Sequence, residues 1–427
     1  MKAASNSAVS NTNSYDKTLK LDDYTPIVGK ETIERIREKA KPLQGSTVAH
    51  VNSTHYGGGV PELLSPLTLL MNDVGIQADW RVIQGTPDFF SITKKMHNAL
   101  QGDDINMTDL KQEIFESVVY ENAIRNRIDD DLVIIHDPQP LLMIHHCRRR
   151  GPWIWRCHVD LSSPNKELWD YLSPHVEMYD AVILTLEEYA RDLDTPQVFI
   201  MPAIDPFSIK NRTLTEDEID ERLDHYDIPS DKPLVVQISR FDKWKDPEGV
   251  IQAFKIAQEE IDARLVLLGN MASDDPEGEA VYHSLLEYQN DDIIILSRED
   301  TALVNALQRR AAVVVQKSLR EGFGMTVTEA MWKGSAVVGG DVGGIRHQID
   351  DGVNGFLTSS IEMTAKRVVQ LVNDGDLRKQ IGNRARERVK DNFLLTRLLE
   401  QYLDLLGSFE AIYRLQPKAG GCQDSHN

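Results

Sequence analysis

The stretch "AAVVVQKSLREGFGMTVTEAMWKG", Ala311 to Gly334, reads as a strand, a turn and a helix in succession. AAVVVQ (311–316) is a continuous apolar, β-branched run and predicts a buried strand. REGFG predicts a turn, and TVTEAMWKG the start of a helix that Gly334 closes. Glu321 then lies in the loop and Glu329 in or near the first helical turn, with seven residues between them. The amides of Gly322, Phe323, Gly324, Met325 and Thr326 are expected to act as donors at the helix start. Two carboxylates so placed suit an acid–base pair or a ligand grip, and capping is the plain structural alternative.

The same succession recurs through most of the chain. Strand candidates are TVAHVN (47–52), DWRVI (79–83), DLVIIHD (131–137), WIWRCHV (153–159), AVILT (181–185) and VFIMP (198–202). A second series follows: LVVQISR (234–240), ARLVLLG (263–269), DIIILS (292–297), AAVVVQ (311–316) and SAVVGG (335–340). Helical patterns lie among them, as in 246–261, where Val250, Phe254 and Ala257 recur at helical spacing. Continuous apolar strands separated by helices predict parallel sheets covered on both faces. The polar break at 203–218 separates the two series, so the fold class is α/β, with two Rossmann-like doubly wound domains joined near residue 205. The expected boundaries are a polar, flexible N-terminus (1–30), an N-terminal domain (31–205), a C-terminal domain (206–393), a long helix (394–415) and a flexible tail (416–427).

At 427 residues the chain exceeds one ordinary core. Its 67 acidic and 47 basic residues give a net charge of −20, which argues against a nucleic-acid partner. The polar N-terminus lacks a signal-peptide core, and no apolar run approaches the roughly 18 residues of a membrane span, so a cytoplasmic location is expected. Three cysteines, Cys147, Cys157 and Cys422, make no disulfide framework. His145, His146 and His158 lie near the first two, but the spacing matches no standard zinc pattern.

Ligands of open α/β sheets bind beyond the carboxyl ends of the strands, and two such domains facing each other would enclose a cleft. THYGGGVPELL (54–64) places Gly57, Gly58 and Gly59 before a helix expected near Pro61, where the backbone can approach an anion; a flexible connection is the alternative. In HDPQP (136–140), Pro138 leaves Asp137 at a strand end, suited to sugar hydroxyls or to a simple turn. His158 and Asp160 follow the strand carrying Trp153 and Trp155; a lone histidine there is functional or merely structural. Arg240 and Lys245, five apart in SRFDKWKDP, are placed to neutralise a diphosphate, or are simply exposed.

Together, Glu-x7-Glu at 321–329, Arg-x4-Lys at 240–245 and the Gly-Gly-Gly loop resemble the retaining family 4 glycosyltransferases of GT-B fold. WRCHVDLSSPN, MASDDPEGEAVY, REGFGMTVTEAMWKG and VGGIRHQIDDG are similar to the trehalose glycosyltransferring synthases, over roughly residues 30 to 410. That resemblance implies two Rossmann-like domains facing across a deep cleft, with the C-terminal helix crossing back to the N-terminal domain. It implies glucose transfer from ADP- or UDP-glucose to glucose, forming α,α-trehalose, with no obligatory metal; Mg2+ is compatible but required by no motif. Arg240 and Lys245 would neutralise the diphosphate with the amides of Gly57, Gly58 and Gly59. Glu329 would hold the ribose, Glu321 and the Gly322–Met325 amides the transferred glucose, His158 the anomeric region, and Asp137 the acceptor. Transfer on one sugar face, the leaving phosphate oxygen helping to deprotonate the acceptor, is the implied mechanism.

Three other readings stand beside it at this point. A trehalose phosphorylase would use phosphate in place of the nucleotide, and another family 4 enzyme would use a different sugar acceptor. A nucleotide-sugar-binding regulator without catalysis would carry the same motifs. A homodimer is compatible with the sequence, which names no macromolecular partner.

Overall fold

The structure is a computed structural model and describes residues 19–55, 58–269 and 276–415. The chain divides into two compact units, crossing from one to the other at 200–201 and again at 394–395.

The first unit holds β1 (Thr47–Asn52), β2 (Gln77–Val82), β3 (Leu132–His136), β4 (Trp153–Arg156), β5 (Ala181–Leu184) and β6 (Gln197–Phe199). They form one parallel sheet in the order β2-β1-β3-β4-β5-β6. Every residue of β3, β4 and β5 is buried, as expected of strands covered on both faces. Trp153 and Trp155 anchor β4 at 1% and 0% exposure. Each indole removes roughly 150–250 Å² from water, which at ~25 cal/mol/Å² contributes about 4–6 kcal/mol before entropy is counted. The edge strand β2 is only partly buried and carries the charged Asp79 and Arg81, which pair at 2.8 Å.

The last helix, Leu395–Leu415, belongs to this unit and packs on the helices Lys30–Ala40 and Gly59–Asp73. Its buried stripe includes Leu395, Leu398, Leu399, Tyr402 and Leu406. On the rim, Glu400 accepts from Arg35 at 2.6 Å and Asp404 pairs with Lys39 at 2.8 Å. The expectation of a flexible segment through residue 30 needs correction. From residue 19 the chain is folded, with a 3-10 turn Leu21–Tyr24, because Leu21 and Tyr24 are wholly buried. Residues 1–18 and the tail 416–427 lie outside the described residues.

The second unit holds β7 (Leu234–Ile238), β8 (Arg264–Gly269), β9 (Ile293–Ser297), β10 (Ala311–Gln316), β11 (Val337–Gly340) and β12 (Phe356–Thr358). All pairs are parallel, in the order β12-β11-β10-β7-β8-β9. Strand order reverses beside β7, whose neighbours are β8 and β10; in the first sheet it reverses beside β1, whose neighbours are β2 and β3. Those are the places where an open sheet leaves room for a ligand. β12 was not anticipated, since its three residues are too short for a periodic pattern. Several strands end earlier than expected, notably β4 at Arg156, so Cys157 to Val159 form a loop. Among the described residues no helix is long and apolar enough to cross a membrane.

Helix Gly375–Asn392 approaches the end of helix Met325–Trp332 so closely that a Cβ on Gly382 would sit 1.9 Å from the Gly334 carbonyl oxygen. Gly382→Ala should therefore destabilise this unit by about 1–3 kcal/mol through overpacking. A lowered denaturant midpoint is the expected result; an unchanged one would refute the close approach.

Candidate active site

Five loops at strand carboxyl ends, after β1, β3, β4, β7 and β10, carry the residues singled out above. In the second unit the loop after β7 is shaped by aspartates. Asp242 accepts from the Trp244 amide at 2.9 Å, and Asp246, at φ 50°, accepts from the Gly249 amide at 3.1 Å to start helix Pro247–Ala257. Gln237, buried in β7, donates to the Lys245 carbonyl at 2.8 Å. Lys245 is thereby directed at the loop after β10, where its ammonium meets Glu321 Oε2 at 2.6 Å. Ser318 donates to the same oxygen at 3.2 Å. At the start of the same loop after β10, Lys317 pairs with Asp246, a second bond joining these loops. Arg240 stays on the same loop as Lys245, 41% exposed, with Asp242 at 3.7 Å.

The turn after Glu321 is held from behind. Gly324 adopts φ 87° and serves as N-cap of helix Met325–Trp332. The Phe323 ring is buried edge-on against Phe393 at 5.7 Å. Gln348 Nε2 donates to the Phe323 carbonyl at 2.6 Å, and the Gly344 amide donates to the Glu321 carbonyl at 3.3 Å. Met325 and Thr326 occupy the first helical turn, where backbone N–H groups have no intrahelical acceptor and the dipole favours anions. Glu329 is the fifth residue of this helix, just past its first turn, in keeping with the expectation of a place in or near that turn. Its side chain is 3% exposed, with the Lys210 ammonium 3.5 Å away.

In the first unit, Gly58 has φ 89° and helix Gly59–Asp73 begins directly after it; Gly57 lies outside the described residues. Asn52 at the end of β1 donates to the Thr54 carbonyl at 2.8 Å and accepts from the Trp80 indole at 2.8 Å, which fixes the start of this loop. Asp137 follows β3 with φ 62°, an uncommon left-handed conformation that aspartate tolerates. Its Oδ1 accepts from the His158 amide at 2.8 Å, so the loops after β3 and β4 are tied together. Burial pushes Asp137 up to about 6, opposed by that amide and the Arg156 guanidinium. The His158 ring is half-buried, and burial with the nearby Arg156 charge holds it well below the usual histidine range. Asp160 is 6% exposed and accepts from the Ser162 amide at 2.8 Å, which makes it a turn-forming group.

The structure thus joins Lys245 to Glu321 and Asp137 to His158, each within one unit. Lys317, Gly344 and Gln348 were not singled out. The string VGGIRHQIDDG was noted only as a resemblance, and nothing in its local pattern shows that it buttresses the turn of Glu321.

Residues 218–388 match the family described as glycosyl transferases group 1, and residues 50–191 the trehalose synthase N-terminal domain. With the two parallel sheets, these matches make the chain a glycosyltransferase of two-domain α/β fold. The trehalose synthase of Thermococcus litoralis is 44% identical over 400 residues, covering 91% of this chain and 97% of that protein. The chain belongs to the trehalose synthase family. A trehalose phosphorylase of Grifola frondosa is more distant, at 26% identity over 87% of this chain and 58% of its own length. The structure of Anabaena HepE in complex with UDP-glucose matches with a TM-score of 0.66 at 18% identity, over 85% of this chain and 100% of that one.

A Cβ on Gly344 would lie 2.3 Å from Phe323 Cα and 2.7 Å from its carbonyl oxygen. Gly344→Ala must therefore push the Phe323–Gly324 backbone aside, a displacement of the kind that costs reaction geometry dearly. The expected result is a kcat/KM for the sugar donor lowered at least about tenfold. Unaltered kcat/KM in a folded variant would show that the turn does not depend on this contact.

Proposed function

We propose that this chain transfers glucose from a nucleoside-diphosphate glucose to glucose, with retention at the anomeric carbon, to form α,α-trehalose. The observation that carries the reading is the 2.6 Å contact of Lys245 with Glu321, made where strand order reverses beside β7. An ammonium has three donors, so Lys245 can keep Glu321 and still bind a phosphate oxygen. Arg240, exposed on the same loop, supplies a second cation, and the start of helix Met325–Trp332 supplies backbone N–H groups. In this reading Glu321 binds hydroxyls of the transferred glucose and Glu329, beside Lys210, the ribose. In the first unit, Gly58 and Gly59 at a helix start approach the diphosphate, His158 the anomeric region, and Asp137 the acceptor.

Breaking a glycosyl–phosphate bond develops negative charge on the diphosphate and positive charge on the sugar. Fixed cations beside the leaving group lower that barrier because they need no reorganisation as charge appears. The charge neutralisation is assigned to Arg240 and Lys245, with no step given to Mg2+. Glu321 is assigned binding, since its carboxylate already faces an ammonium and a hydroxyl. A cytoplasmic setting fits the unpaired Cys147 and Cys157.

The direct test is incubation with trehalose and either ADP or UDP, or with trehalose and phosphate. Formation of nucleoside-diphosphate glucose supports the proposal; glucose 1-phosphate instead would favour phosphorylase chemistry, the activity named for the Grifola relative. Arg240→Ala and Lys245→Ala should each lower kcat at least about tenfold, the loss of a preorganised cation worth a few kcal/mol. Near-normal turnover in both would remove these cations from the mechanism. Mass spectra of the wild type during turnover should show no glycosyl adduct on Glu321; such an adduct would replace one-face transfer with a double displacement.

A further inference from the structure

Behind His158 the sheet contains two more histidines in line with it. His136 ends β3 and His50 lies within β1, on neighbouring strands, and both rings are 0% exposed. His158 Nε2 is 3.0 Å from His136 Nδ1, and His136 Nε2 is 3.0 Å from His50 Nδ1. Successive rings are stacked at 5.3 Å between centroids. The row stops at His50 Nε2, which is buried without a hydrogen-bond partner, as is the hydroxyl of Tyr402 on the last helix, its ring 6.1 Å away.

Each N–N contact needs one N–H and one lone pair, so in neutral rings the protons of all three must run the same way. Either every ring carries its proton on Nε2 or every ring carries it on Nδ1. The first arrangement would bury an unsatisfied N–H at His50; the second leaves a lone pair there, the less costly orphan. The second therefore prevails, and it makes His158 an Nδ1–H donor at the end away from the row. Nδ1 of His158 has no partner among the described residues. Charging the row is opposed from several sides. Burial holds His50 down at about 3, and burial, the neighbouring histidines and Arg156 hold His136 well below the usual range.

We propose that His50 and His136 are positioning residues for glycosyl transfer: with His158 they form a one-way imidazole row that fixes the His158 proton on Nδ1, where it donates to an oxygen of the bound sugar. This rests on the reading of His158 as a sugar contact. The row itself is observable without substrate, so its failure is distinct from failure of that reading.

The test begins with 15N NMR of wild-type protein labelled in histidine, without substrate. All three rings should be neutral Nδ1–H tautomers between about pH 6 and 8, opposite to the tautomer that free histidine favours in water. An Nε2–H, mixed or charged His158 would overturn the proposal. His50→Phe keeps a ring but removes the nitrogen that starts the row. It should mix the His158 tautomers and lower kcat about tenfold, with donor KM changed less than about twofold. His50→Asn, which returns an N–H close to the Nδ1 position, should recover most of the loss. Wild-type kcat in folded His50→Phe, or no recovery in folded His50→Asn, would refute the role. Should His50→Phe fail to fold, the wild-type spectrum alone decides.

Discussion

An ammonium and a carboxylate 2.6 Å apart, Lys245 and Glu321, join the loops that leave β7 and β10. Neither loop would hold its shape as an isolated segment, since each orders polar groups against a large entropy cost. The pairing is made possible by parallel strands that deliver both loops to the same edge of the sheet. Lys317 with Asp246 forms a second tie between the same loops. Both ion pairs are largely shielded from water, so each is costly to break from one side. The turn after Glu321 and the Lys245 side chain take their positions from this junction.

Backbone conformations of limited population also occur in the loops after β1, β3, β7 and β10. Asp137 and Asp246 have positive φ, and Gly58 and Gly324 take conformations closed to most residues. Such geometry persists only where the surroundings over-determine it. Here the surroundings are identifiable: the His158 amide on Asp137, the Gly249 amide on Asp246, and Gln348 on the carbonyl of Phe323. Side chains and amides from the next strand or helix hold each turn, which is why the loops can be rigid without regular structure.

In the first unit the loops after β3 and β4 are backed by polar groups inside the sheet. His50, His136 and Arg156 are buried where aliphatic side chains would ordinarily stand. Burying such groups is unfavourable unless they are satisfied, and the histidines satisfy one another in a row except at His50 Nε2. The C-terminal helix seals this interior through Tyr402 and its aliphatic stripe, while Arg35 and Lys39 fasten its solvent side.

The alternation of apolar runs and helical periods was enough to read two parallel α/β sheets, because strand burial on both faces leaves an unbroken apolar signature. Arg240, Lys245, Glu321 and Glu329 were visible for a related reason: each follows a strand or opens a helix within one short segment. β12 was invisible because its three residues are too short for a periodic pattern. Strand order and cross-strand contact lay beyond the local pattern. TVAHVN reads only as another strand, and nothing near His50 announces His136, 86 positions away. Which residues are candidates for chemistry was thus marked locally in the chain. Which of them meet was decided by tertiary structure, because neighbours in a parallel sheet are set by crossover connections and not by distance along the sequence.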